Sequence, residues 1–193
     1  IYQIVITVPI TYNEKDRKIL IELDKNARAT DSEIAKKVLL SKQVTNYRIK
    51  RKIIFIQKTT FEEQHKAIEQ LRQNSSKIGL IVVDTITMLY RLQRSFGEES
   101  THNKDLSMQM LILNEIARKY NVPILLTSQV YSAFENRGVK IVGGDILLYT
   151  SKCLIELETL GNGQRKMILR KHRSIKSGKE KTFEIVEEGV EGK

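Results

Sequence analysis

The stretch Leu80-Ile81-Val82-Val83-Asp84-Thr85 is an apolar, largely β-branched run that ends on a carboxylate. Such a run reads as a buried parallel strand whose last residue emerges at the carboxyl edge of a sheet. Open α/β sheets place ligands at that edge. An acid there can hold a metal-bound water beside a nucleotide's phosphates, because Mg²⁺ keeps several waters and takes few protein carboxylates. A solvated strand-end aspartate is the other reading these six residues leave open. The run Ile124-Leu125-Leu126-Thr127-Ser128-Gln129 ends on an amide in the corresponding place, so Gln129 is expected to emerge beside Asp84.

Two strands and a helix must position this pair. Between 105 and 120, apolar residues recur at Leu106, Met110, Leu113, Ala117 and Tyr120, three- and four-residue steps that predict an amphipathic helix. Asn121, Val122 and Pro123 stop it. Strand, helix, strand over this length predicts a right-handed crossover with parallel strands.

The whole chain has 193 residues, 40% of them hydrophobic, enough for one substantial domain or a domain with a small module. Its single Cys153 excludes an internal disulfide framework and is expected in the core. His65, His102 and His172 are too scattered to suggest a metal site. No run approaches the length of a membrane span, and signal-peptide flanks are lacking, so a soluble cytoplasmic protein is expected. The formal charge of +10 favours polyanionic partners. Residues 1–52 hold 12 basic and 6 acidic side chains, so this quarter supplies most of the excess, and 37–52 carry six bases and no acid.

The β-branched opening residues predict a strand closed by Pro9, with no chemistry and no assignable partner. Asn13 is expected to cap a helix over 14–24 that buries Ile19, Leu20 and Leu23. Thr30-Asp31-Ser32-Glu33 has capping-box spacing and opens a short helix with Ile34, Ala35 and Val38 inward. Ser41 is expected to cap a third helix over 42–51. Three short helices, the last of them basic, fit a helix-turn-helix DNA reader. In that arrangement Thr45 and Ile49 face inward. Lys42, Gln43, Asn46, Tyr47 and Lys50 face outward toward base edges, and Arg48 and Arg51 lie near phosphates. An ordinary three-helix interaction module with a solvated basic face is the alternative.

The segments Glu14-Lys15-Asp16-Arg17-Lys18-Ile19-Leu20, Asn26-Ala27-Arg28, Glu33-Ile34-Ala35 and 41–51 resemble the N-terminal domain of archaeal Lrp/AsnC regulators. The resemblance covers 12–51 and implies DNA binding. Leu39-Leu40 stands where that family has a turn glycine, and Lys52 where it has a core leucine. The wing and effector domain are absent from this sequence, so amino-acid sensing is not implied.

Beyond Lys52, Ile53-Ile54-Phe55-Ile56 predicts a buried strand, and Thr60-Phe61-Glu62-Glu63 opens a helix to about Asn74 with Phe61, Ala67, Ile68 and Leu71 apolar. With the opening strand this gives alternating strands and helices, for which a parallel sheet is the economical reading. Residues 131–140 read as a polar loop that could touch a ligand, followed by a tight turn or close backbone approach at Gly143-Gly144. Residues 152–160 and 164–172 predict a hairpin turning at Gly161-Asn162-Gly163, with a third strand over 181–187. Residues 165–181 hold eight bases and one acid, and Lys171-His172-Arg173 could reach a phosphate.

Thr59-Thr60-Phe61-Glu62-Glu63-Gln64, residues 78–91, Thr127-Ser128-Gln129-Val130, Gly143-Gly144 and Lys171-His172-Arg173-Ser174 together resemble the RecA-type ATPase core of archaeal RadB, over about 53–190. The resemblance implies an α/β fold with a mostly parallel sheet and antiparallel C-terminal strands. It also implies ATP and Mg²⁺ as cofactors, with Asp84 as the Walker B acid and Thr85 beside it. Gln129 would link nucleotide state to the DNA-proximal loop that follows, and Lys171, His172 and Arg173 would lie near a nucleotide held by a neighbouring subunit. DNA, a RecA-type recombinase and further copies of the chain are the implied partners.

Two motif elements are missing. The sequence contains no G-x-x-x-x-G-K-[ST], whose backbone amides and lysine cradle phosphates. Where recombinases of this class carry a catalytic glutamate it has Gln57-Lys58-Thr59, which lowers the expected hydrolysis. The leading expectation is a DNA-binding accessory of recombination and repair with at most weak ATPase activity. A transcription regulator reading DNA through 12–51, and a chimeric or partial chain without activity, are the alternatives.

Overall fold

The computed structural model describes residues 3–7, 14–25, 29–50, 53–94, 99–133, 138–187 and 189–192. In chain order it runs β1 (Gln3–Thr7), α1 (Glu14–Lys25), α2 (Asp31–Val38), α3 (Lys42–Lys50), β2 (Ile53–Gln57), α4 (Phe61–Asn74), β3 (Leu80–Asp84), α5 (Met88–Arg94) and α6 (Glu99–Tyr120). Then follow β4 (Ile124–Leu126), β5 (Val130–Ala133), β6 (Gly138–Ile141), α7 (Gly144–Thr150), β7 (Leu154–Thr159), β8 (Gln164–Lys171), β9 (Glu180–Val186) and β10 (Gly189–Gly192). The chain divides into two units. Ile1–Ile10 join Lys52–Thr150, and Thr11–Arg51 join Ser151–Lys193.

In the first unit the sheet order is β2-β1-β3-β4. The expected parallel crossover is present, with β3 and β4 paired in parallel and Val83 opposite Leu126. β1 differs from expectation: it lies between β2 and β3 and is antiparallel to both. Residues 11–51, between β1 and β2, belong to the other unit, so the two strands are not joined by a crossover helix of their own unit and a parallel return is not required. β2, β3 and β4 still point one way.

The core lies between this sheet and the helices α4 and α6, where Phe61, Ile68, Ile81, Leu106, Leu113 and Ile116 are buried in one cluster. Each such side chain contributes on the order of 1.5–3 kcal/mol. α4 begins at a complete capping box, with Thr60 Oγ1 accepting the Glu63 N–H and Glu63 accepting from the Thr60 N–H. α6 ends at Asn121 in the left-handed region, φ 53°. The run 53–56 was expected to be buried, yet Ile54 and Phe55 are exposed. β2 is an edge strand, and a short apolar run reads the same at an edge as at the centre of a sheet. Cys153, also expected inside, is exposed.

The expected polar loop is a β-ribbon, with β5 and β6 paired antiparallel from Val130 opposite Ile141 to Ala133 opposite Gly138. The close approach at Gly143 is real. Its φ is +83° and a Cβ there would stand 3.0 Å from Leu106 Cδ2, so only glycine lets the chain turn from β6 into α7.

The second unit holds α1–α3 and the sheet β10-β9-β8-β7. Ile19, Ile34 and Val38 form a small core with Ala29, Leu40 and Ile49 against it. The β7–β8 hairpin turns on Asn162 and Gly163, both at positive φ, with the Gln164 N–H donating to Gly161 O. That is the type I′ geometry that Asn-Gly favours. β10 was not expected, since Gly189 and Gly192 bracket it and glycine weakens a strand signal.

Candidate functional site

Parallel pairing of β3 and β4 carries the chain ends of both strands to one edge. The Thr127 N–H donates to Val83 O at 3.1 Å and the Ile86 N–H to Thr127 O at 3.1 Å. Asp84 is exposed there and its Oδ1 accepts from Thr127 Oγ1 at 2.5 Å. Oδ2 has no hydrogen-bond partner among the described residues. The Asp84–Thr85 peptide is cis. Thr85 Oγ1 accepts from the Met88 N–H at 3.2 Å, capping α5.

Gln129 is fixed on three sides. Its N–H donates to Thr87 Oγ1 at 3.2 Å, its Oε1 accepts from Arg91 Nη1 at 3.4 Å, and its carbonyl accepts from the Val142 N–H at 2.9 Å. Thr87 is fully buried, and its hydroxyl is also 3.0 Å from Ser128 Oγ. Asp84 and Gln129 therefore share an edge, each with its own partners. Asp84 is oriented by Thr127, and Gln129 joins α5 to the start of the β5–β6 ribbon. Thr87, Arg91 and Thr127 lie within the stretches that resemble RadB, but no role was assigned to them from sequence, because those roles follow from the pairing register. Tyr131, 53% exposed, and Lys140 stand on the ribbon that follows.

On α3, Ser41 Oγ accepts from the Val44 N–H at 3.2 Å, and Thr45 is fully buried, both as expected. Lys42, Gln43 and Tyr47 are exposed. Two expected DNA contacts are engaged within the helices instead. Asn46 Nδ2 donates to Asp31 of α2, and Arg48 Nη1 donates to Asp16 of α1 at 2.9 Å. Both carboxylates lie where an outward-facing reading of α3 placed none, and Asp16 is only 5% exposed. The Lys50 side chain and Arg51 lie outside the described residues.

Lys171 ends β8, His172 follows it, and Arg173 is exposed. His172 Nδ1 accepts from the Ser174 and Ile175 N–H groups, both at 3.0 Å. These three residues belong to the second unit, and Asp84, Thr85 and Gln129 to the first.

Residues 5–193 match the Rad51 family. The chain belongs to that family. The matched span includes residues 12–51. The DNA repair and recombination protein RadB of Methanobrevibacter smithii is 40% identical over 151 residues, covering 74% of this chain and 64% of that protein. Its counterpart from Methanococcus maripaludis strain C5 is 36% identical over 176 residues, covering 89% of this chain and 80% of that protein. The crystal structure of the RadB recombinase superposes with a TM-score of 0.61 at 24% identity, covering 91% of this chain and 81% of that one. This likeness shows the shared fold.

For a Rad51-family chain, ATP and Mg²⁺ are the groups to test against the site. An exposed carboxylate with one oxygen oriented by a hydroxyl suits a water-mediated Mg²⁺ contact. The phosphate cradle does not fit, because neither the glycine-rich amides nor the lysine it needs occurs in the sequence. Among the described residues no group of three or more His, Cys, Asp or Glu could hold a metal directly. No described helix is long and apolar enough to cross a membrane.

Proposed function

We propose that this Rad51-family chain is a DNA-binding accessory of homologous recombination and repair, with at most weak ATPase activity. The observation that carries the reading is the parallel β3–β4 edge, where Gln129 is tied by Thr87 and Arg91 to α5 and leads directly into the β5–β6 ribbon. On that ribbon Tyr131 supplies a stacking surface for a base and Lys140 a charge for a phosphate. The exposed Lys42, Gln43 and Tyr47 of α3 offer a second DNA contact, with Arg48 and Asn46 fixing the helix from behind. Both relatives are DNA repair and recombination proteins of the RadB type, which agrees with this assignment. Asp84 would meet Mg²⁺ through water where a phosphate cradle is supplied. A RecA-type recombinase and further copies of the chain are the partners this reading implies.

The test is affinity for single-stranded and duplex DNA over a salt series. The net charge of +10 predicts that log affinity falls linearly with log salt. Affinity indifferent to salt, or no binding, contradicts the proposal.

A further inference from the structure

The sheet β7–β10 segregates its side chains in an unusual way. The pairing register places Glu156, Glu158, Glu180, Glu184 and Glu191, every acid of the four strands, on one face. Three of the five are ion-paired in place. Lys166 pairs with Glu158 at 3.0 Å and Glu180 at 3.4 Å, and Arg170 with Glu156 at 2.6 Å. These contacts raise the pKa of Lys166 through its hydrogen bond to Glu158, and that of Arg170 through its hydrogen bond to Glu156.

The opposite face carries no acid. Ile155, Leu157, Met167, Ile185 and Val190 alternate onto it and are exposed, Leu157 at 64% and Val190 at 70%. Its bases are Arg165, which donates to Thr159 Oγ1 at 3.3 Å, and Lys181, opposite Met167, with Lys171 at the bulged end. Lys181 makes no ion pair among the described residues. An apolar sheet face of this kind calls for a second layer, and its side chains stay exposed among the described residues.

We propose that this face docks an acidic amphipathic helix from a partner protein. Helices are the ordinary cover of a sheet face. The charges select the partner's sign, because buried apolar contact supplies adhesion while Arg165 and Lys181 need carboxylates at its rim. A second copy docking by the same face would set these bases against their own kind. Single-stranded nucleic acid fits less well, since bases stack on aromatic rings and the face has a single one among the described residues, the half-buried Phe183, beside the exposed Ile155, Leu157, Met167, Ile185 and Val190. The inference is independent of the DNA-binding reading, which rests on the β3–β4 edge.

The experiment uses the full chain and a fluorescein-labelled helical peptide with leucines at three- and four-residue steps flanked by glutamates. The control peptide has lysine for every glutamate. The glutamate peptide binds and the lysine peptide does not; Leu157→Ser with Ile185→Ser weakens binding at least about tenfold, and Arg165→Glu with Lys181→Glu reverses the preference. Circular dichroism checks folding, and the charge-reversed pair decides the matter where the serine pair does not fold. Equal binding of both peptides, no binding, or binding untouched by either pair overturns the proposal. So does capture of anionic vesicles or an oligonucleotide by these residues in place of the peptide, or a concentration-dependent dimer that Leu157→Ser abolishes.

Discussion

Arg48 and Asn46 illustrate what single residues reveal only in context. Helical spacing places both on the exposed side of α3, but Asp16 and Asp31 come from other helices, and periodicity within one segment says nothing about them. The Asp16 carboxylate is buried while Arg48 is about a quarter exposed. Removing the guanidinium takes an ion-pair partner from a desolvated carboxylate, so Arg48→Ala is expected to destabilise the chain by about 2 kcal/mol, read from the urea midpoint. An unchanged midpoint would show that water reaches Asp16 freely. Asp84 was legible by itself, because a carboxylate closing a β-branched run has few other places to be. Its orienting partner Thr127 was not, since that contact depends on strands 43 residues apart falling into register.

At the scale of elements, caps were the most readable features. Both Thr-x-x-Glu boxes form, at Thr30–Glu33 and Thr60–Glu63. Backbone N–H bonds hold each glutamate below its ordinary pKa of 4.5, led by Thr30 for Glu33 and by Thr59 for Glu63. A depressed folded-state pKa gives stability that is fully present above 4.5 and is lost as pH falls through the lowered value. Urea midpoints measured from neutral pH down through that range should therefore decline, and Glu63→Gln should flatten the decline. A decline identical in wild type and variant would remove the cap from the explanation.

Leu39 is the counter-case. It ends α2 in the left-handed region at φ 56° and is 90% exposed, a place where glycine is the ordinary choice. Leu39→Gly is expected to raise stability by about 0.5–1 kcal/mol, the relief of left-handed strain less the added unfolded-chain entropy. A lower thermal midpoint in the variant would refute this. Strands were legible as apolar runs, but their partners were not. The ribbon strands 130–133 and 138–141 read as a loop because four residues each are too few to show an alternating pattern, and the direction of β1 was not legible because residues 11–51, which follow it, belong to the other unit.

For the whole molecule, charge and motif order pointed to the same conclusion before any coordinate did. The excess of bases predicted a polyanionic partner, and several motifs in sequence predicted the RecA-like fold that the Rad51-family match and the RadB structure bear out. The division into two units was not legible, since no glycine- or serine-rich linker marks it and each unit is assembled from separated stretches. What unites the functional reading is the edge where Gln129 delivers the ribbon. The most direct test is the affinity of Tyr131→Ala for a single-stranded oligonucleotide, beside wild type at one fixed salt concentration. Loss of one stacked base, worth about 1–3 kcal/mol, predicts binding weaker by roughly tenfold with the unfolding midpoint unchanged. Equal affinity would contradict the account.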